Sequence, residues 1–280
     1  MKGQSSAAEA REKGTVRVLK KNRVETAESM ANRQRDISVS EFFAKNRHLL
    51  GFDNPRKALL TAIKEAVDNS LDACEEAGIL PDILVSIEDL GNDRFRIAVE
   101  DNGPGIVKRQ IPNIFAKLLF GSKFHCLKMS RGQQGIGISA AGMYGMLTTG
   151  KPVEIISRTD PGKPAHHFWL QIDTKKNKPE IISDKEVEWE SPHGTRVTIE
   201  LEGKHTRGRQ SVDEYLRQTA IANPHIRVRY QEPSGELIIY ERSSEQRPGH
   251  TSEIKPHPHG VEMGVLQTML KNTQARNLTG

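Results

Sequence analysis

The stretch NPRKALLTAIKEAVDNSLDACEEAG, residues 54–78, marks both of its own ends. Asn54 can cap the first amides, Pro55 suits the first helical position, and Gly78 can take the left-handed conformation that stops a helix. At about 100° per residue, Leu59, Ile63, Ala66, Val67, Leu71 and Cys74 share one face. Glu65, Asn69, Asp72 and Glu76 fall on the opposite one. Glu65 and Asn69 are four apart, one above the other on successive turns. Alone, such a stripe is an ordinary solvated acidic face. Later segments of the chain give it another reading.

A hairpin comes next: ILVSIED (83–89), a turn over Leu90–Asp93, and RFRIAVED (94–101). Phe95, Ile97 and Val99 alternate with polar residues, so they form the buried face, and Asp101 continues that inward series. A buried carboxylate needs donors or it costs several kcal/mol. The next residues, Asn102-Gly103-Pro104-Gly105, free the backbone to turn and a ligand to approach. An inward carboxylate there is an acceptor for an exocyclic amine; an Asx-turn closing the hairpin explains Asp-Asn-Gly equally well.

Pro112 starts or interrupts a helix within 106–120, and GSKFHCLKMSR (121–131) is basic and unlike a core segment. In GQQGIGISAAGMYGMLTTG (132–150), Gly132, Gly135 and Gly137 precede a helix with Ile138, Met143, Met146 and Leu147 as apolar residues. Such a start exposes backbone N–H groups and a positive dipole end, which suits phosphate. No Gly-Lys-Ser/Thr comes after it, and no parallel strand precedes it, so neither a Walker loop nor a Rossmann turn is read. Strands are expected at VEIISRT and HHFWLQI, flanking a DPGKP turn, and again over 179–190. HGTRVTIELEG (193–203) places Thr195, Val197, Ile199 and Leu201 on one face, so Thr195 opens an inward series. A helix over 211–222 and a hairpin of IRVRYQ and ELIIYER complete the pattern. Tyr144, Tyr215, Tyr230 and Tyr240 fall inside these elements and read as structural.

Earlier in the chain, SVSEFFAKNRHLL (38–50) forms a short helix offering Phe42, Phe43, Leu49 and Leu50 to the core. The 280 residues carry a net charge of +5. Residues 1–36 hold nine Lys or Arg against five Asp or Glu; the remainder holds 32 and 31. The basic surplus therefore sits in a polar N-terminal arm, and charge alone is weak evidence for DNA. No apolar run approaches the ~20 residues of a membrane span, and no signal peptide is visible. Cys74 and Cys126 have no metal-spaced partners and read as reduced thiols of a cytoplasmic protein.

The order E-x-x-x-N on a helix, D-x-G-x-G, a glycine-rich helix start, then G-T before a strand resembles the GHKL ATPases: gyrase, Hsp90 chaperones, MutL and histidine kinases. The pieces are Glu65/Asn69, Asp101–Gly105, Gly132–Gly137 and Gly194-Thr195. Over EFFAKNRHLLGFDNPRKALLTAIKEAVDNSLDACEEAGILP, RGQQGIGISAAGMYGMLTTGKP and GVLQTMLKNTQARNL the chain is more closely similar to the B subunits of type VI DNA topoisomerases.

That resemblance implies an α+β fold of the GHKL (Bergerat) type, an α/β sandwich with a mixed, mainly antiparallel sheet. It implies a basic arm (1–36), the ATPase domain (37–243), a linker (244–260) and the opening of a helix–two-turn–helix domain (261–280). A lysine-bearing transducer domain is expected beyond residue 280. By the same resemblance, Glu65 is the general base and Asn69 gives its amide oxygen to Mg²⁺. Asp101 accepts from the adenine amine beside Gly103 and Gly105, and Thr195 holds a bridging water. Gly132, Gln133, Gln134, Gly135, Ile136, Gly137, Ile138 and Ser139 wrap the phosphates of ATP, with Ser122 and Lys123 as a further contact.

The implied function is ATP hydrolysis in a type IIB DNA topoisomerase, with ATP-driven dimerisation coupled to strand passage. The implied partners are double-stranded DNA and a DNA-cleaving A subunit in an A2B2 assembly. A MutL- or Hsp90-like module acting on protein partners is the alternative. Glu65 argues against a histidine kinase.

Overall fold

A computed structural model describes residues 26–33, 37–121, 131, 135–249, 252 and 258–273. The chain divides into two units, Met1–Ile37 and Ser38–Gly280. In the first, helix α1 (Ala27–Ala31) is held by a capping box between Thr26 and Ser29. The second carries the remaining elements.

Helix α2 (Val39–Lys45) is capped by Ser38 and gives way to a 3-10 turn (Arg47–Leu50) that Gly51 ends at φ +80°. This is shorter than the helix expected over 38–50. Only part of its apolar set faces inward: Phe43 and Leu50 pack on the core, while Phe42 and Leu49 are exposed.

Helix α3 (Pro55–Glu76) begins as its sequence dictates, with the Asn54 side chain accepting from Lys57 N at 2.9 Å. It stops at Gly78, φ +70°, where Gly78 N donates to Glu75 O and Ile79 N to Cys74 O. This pair of bonds is a Schellman motif. Leu59, Ile63, Val67 and Leu71 are fully buried. Each contributes roughly 1.5–3 kcal/mol by area, so this stripe anchors the helix.

The helix lies on an eight-stranded sheet: β1 (Asp82–Gly91), β2 (Arg94–Asp101), β3 (Val153–Arg158), β4 (Ala165–Asp173), β5 (Lys178–Val187), β6 (Gly194–Glu202), β7 (Arg227–Gln231) and β8 (Leu237–Tyr240). The order is β5-β4-β3-β6-β2-β1-β7-β8. Every pairing is antiparallel except β1 with β7. The β1–β2 turn is two residues long, with Asn92 and Asp93 both at positive φ as a type I′ turn demands. The inward rows Phe95/Ile97/Val99 and Val197/Ile199/Leu201 are buried as their alternation requires. The outward rows instead carry cross-strand ion pairs such as Arg96–Glu88, Arg94–Glu200 and Arg196–Glu100.

Helix α4 (Ile111–Phe115), with Pro112 in its first turn, and helix α5 (Gly137–Thr149) complete the layer over the sheet. Of the apolar residues of α5, Ile138 and Met143 are buried and Met146 packs on the core, while Leu147 is exposed. Helix α6 (Val212–Ala222), capped by Ser211, packs on α3 and β7. The four tyrosines occupy α5, α6, β7 and β8, and Phe52 stacks on Tyr144 with ring centroids 5.0 Å apart. Helix α7 (Met263–Asn272) is exposed along its length. Among the described residues no helix is long and apolar enough to cross a membrane.

Candidate functional site

Between α3, the sheet and the start of α5 lies a cavity of about 1000 Å³. Glu65, Asn69, Asp101, Gly105, Gly135, Ile136, Gly137, Ile138 and Thr195 line it. Residues far apart in sequence therefore meet in one cleft. At its deep end β2 finishes and β6 begins, and their register sets Asp101 opposite Thr195. Asp101 Oδ1 accepts from Gly103 N at 2.9 Å and from Thr195 N at 3.2 Å. Oδ2 accepts from the Ser70 hydroxyl at 2.9 Å. The Asx-turn is thus present, and it does not compete with a ligand role: a carboxylate has about four acceptor positions, and three are taken. Burial pushes the Asp101 carboxyl up to about 6, against the pull of the Gly103, Ser70 and Thr195 donors.

A second tier supports this end. Ser157, fully buried on β3, lies 3.0 Å from Thr195 Oγ1 and donates to Gly194 O, while accepting from Ile106 N at 2.8 Å. His193 Nδ1 is 2.8 Å from Gly103 O. Gly105 at φ +69° and Gly194 at φ +133° bring backbone against backbone: a Cβ on either would overlap the carbonyl of Arg158 or of Asp101.

At the other end, α5 starts without a side-chain cap at Ile136. Its first amides are the kind of positive helix end that accepts an anion. Glu65 sits against this start so closely that a Cβ on Gly137 would fall within its carboxyl group. Burial raises the Glu65 carboxyl above its ordinary range, and the nearby Asp68 charge adds to the rise. The neighbouring acids are committed elsewhere: Asp68 accepts from the Tyr215 hydroxyl at 3.0 Å, and Asp72 holds Arg131. Asp72, on the polar side of the wheel, is nonetheless buried, because Arg131 covers it.

A profile of histidine kinase-, DNA gyrase B- and HSP90-like ATPases matches residues 54–205, which include Glu65, Asn69, Asp101, Gly135–Ile138 and Thr195 of this cleft. The chain belongs to that ATPase family. Among relatives, it is 55% identical over 253 residues to the type 2 DNA topoisomerase 6 B subunit of Methanococcoides burtonii, covering 90% of this chain and 41% of the relative. It is 55% identical over 254 residues to the protein of that name in Natronomonas pharaonis, covering 91% and 32%. For Archaeoglobus fulgidus the figures are 54% over 250 residues, 89% and 41%. The chain therefore spans 32% to 41% of the length of these relatives.

Within this ATPase fold, the structure brings together Glu65, Asn69, Asp101, Gly105, Thr195 and Gly135–Ile138. Gly103 serves through its backbone, holding Asp101. Ser139 is almost fully buried and its hydroxyl donates to Lys117 O at 3.2 Å, so its side chain faces away from the cleft. Ser122, Lys123, Gly132, Gln133 and Gln134 lie outside the described residues. Reading the sequence missed Ser70, Ser157, His193 and Arg131. For the two serines a signal existed: Ser70 falls in the middle of the apolar stripe of α3, and Ser157 continues the inward series Val153, Ile155. A hydroxyl in such a phase has to be bonded to something buried.

Proposed function

We propose that this chain is the nucleotide-binding and hydrolysing part of a B subunit of a type IIB DNA topoisomerase. The observation that carries the reading is the meeting, in one cavity, of an amine acceptor at one end and a carboxylate against an uncapped helix start at the other. Asp101 accepts from the adenine amine at its remaining acceptor position. Gly103 and Gly105 shape the turn beside it, and Thr195, held by Ser157, fixes a bridging water. The backbone of Gly135–Ile138 takes the phosphates, joined by Ser122, Lys123, Gly132, Gln133 and Gln134; Ser139 contributes backbone only.

Glu65 is the catalytic base. It takes a proton from a water whose oxygen attacks the γ-phosphorus, as the bond to the ADP oxygen breaks. A carboxyl raised by burial holds a proton more readily than an ordinary one, which suits that step. Asp68 and Asp72 are already engaged, so they do not compete for the role.

The residues present also fit Mg²⁺. The Asn69 amide and the Glu65 carboxylate line the cavity beside the helix start, an oxygen donor set with space left for phosphate and water. Asn69 would hold the ion, which when bound supplies neutralisation of phosphate charge.

ATP binding promotes dimerisation of two B subunits, and a separate A subunit cleaves double-stranded DNA, in an A2B2 assembly working in the cytoplasm. The relatives named above support this assignment. Domain limits accord with the same proposal: an arm over 1–36, the ATPase domain over 37–243, a linker over 244–260 and the opening of a further helical domain from 261. The test is relaxation of supercoiled DNA by the full-length B subunit mixed with its A subunit. Relaxation that requires ATP and both subunits is expected; ATP-independent relaxation, or none, overturns the proposal.

A further inference from the structure

Arg131 stands four residues before Gly135 and lines the same cavity, where a guanidinium with free N–H groups would meet phosphate. Its guanidinium is occupied otherwise. Nη1 donates to Glu75 Oε2 at 2.7 Å and to Asp72 Oδ1 at 3.1 Å. Nη2 donates to Glu75 Oε1 at 2.9 Å and to Asn223 Oδ1 at 2.7 Å. The Arg131 backbone N–H adds a bond to Asp72 Oδ2 at 3.2 Å. His225 Nε2, 2.9 Å from Glu75 Oε1, closes the group. Asp72 and His225 are buried, and the Arg131 and Glu75 side chains are largely covered.

Glu65, Asn69 and Asp72 succeed one another at four and three residues, so they form one stripe along α3. Gly137 meets that stripe at Glu65, and Arg131 meets it at Asp72, one on each side of Asn69. We infer that Arg131 is a positioning residue: its ion pairs with Asp72 and Glu75 tie the Arg131 backbone, four residues ahead of Gly135, to α3 one turn from Asn69, and so set affinity for the phosphate part of the nucleotide. This rests on the nucleotide reading above. A bidentate guanidinium suits the task because two parallel bonds set direction as well as distance, which an ammonium does not do.

The test compares a non-hydrolysable ATP analogue with adenosine, by calorimetry with Mg²⁺, on the whole chain. Arg131→Ala should weaken the analogue by roughly ten-fold or more while leaving adenosine affinity within about two-fold, because adenosine has no phosphate to meet the proposed contacts at Gly135–Ile138. Glu75→Gln should shift the same ratio in the same direction. A purely structural role would weaken both ligands together, and that result, or no change in either, overturns the inference. Where Arg131→Ala fails to fold, Arg131→Lys decides: it keeps the charge, loses the fork, and should still weaken the analogue selectively. Asn69→Ala runs alongside. If it binds the analogue as wild type does, the nucleotide reading falls, and this inference with it; if it loses binding while Arg131→Ala and Arg131→Lys do not, only this inference falls.

Discussion

Lowering the pH should remove the preference for adenine before it removes nucleotide binding. Asp101 is buried, and that burial lifts its carboxyl to about 6 from an ordinary 3.8. If the ionised carboxylate accepts from the adenine amine, affinity tracks its ionised fraction. That fraction is nearly complete at about pH 7.5 and about one in eleven at about pH 5, a change of roughly ten-fold or ~1.4 kcal/mol. Inosine triphosphate carries a carbonyl oxygen where ATP carries the amine, and a protonated Asp101 can donate to it. Its affinity should therefore hold or rise, and the ratio of the two nucleotides cancels the titration of their phosphates. Competition binding from about pH 5 to 7.5 at fixed ionic strength reads this ratio. A flat ratio refutes the role of Asp101 as the amine's acceptor. The same shift has a sign in the unliganded chain. The folded pKa lies above the unfolded one, so the contribution to stability is complete below about 3.8 and is lost as pH rises through about 6. The loss is at most of order 3 kcal/mol, and urea titrations of wild type and Asp101→Asn across that window should show it only in the wild type.

Other outcomes rest on the same geometry. Glu65→Ala in the proposed topoisomerase B subunit should slow ATP hydrolysis by roughly 10²–10⁴-fold, and hydrolysis at the wild-type rate would return Glu65 to the status of a surface acid. Gly137→Ala puts a methyl group where the Glu65 carboxyl lies, so hydrolysis should fall with it by about 10²-fold; an unchanged rate would show that this contact is irrelevant to the chemistry. Gly194→Ala forces an alanine to φ +133° with its Cβ against Asp101 O. It should lower unfolding free energy by about 1–3 kcal/mol or more in urea, and a change under about 0.5 kcal/mol would contradict the close packing of β6 on β2.

Much of this arrangement was legible in the sequence wherever the signal was local. Asn54 and Gly78 mark the ends of α3 because capping is a property of a few adjacent residues. The phase of β2 and β6 shows Asp101 and Thr195 facing inward because a strand alternates strictly. Contacts across the fold were not legible. Nothing near residue 227 announces that β7 runs parallel beside β1. A helical wheel assumes one buried face, and α3 has two: its apolar stripe lies on the sheet, and its acidic stripe lies in the cleft, where Arg131 buries Asp72 from 59 residues away. Phe42 and Leu49 illustrate the converse. Apolar residues in a short two-part helix have too little length to hold a single face, and half of them remain exposed.

If the cleft binds ATP through α3, a calorimetric titration with a non-hydrolysable ATP analogue shows it most directly. With Mg²⁺ present, wild type and Glu65→Ala should bind one equivalent with similar affinity, because a base acts only in the reaction. Asn69→Ala should lose affinity severely while its melting temperature stays close to that of wild type. Equal affinity in wild type and Asn69→Ala, or no binding by wild type at all, would contradict ATP binding at this site.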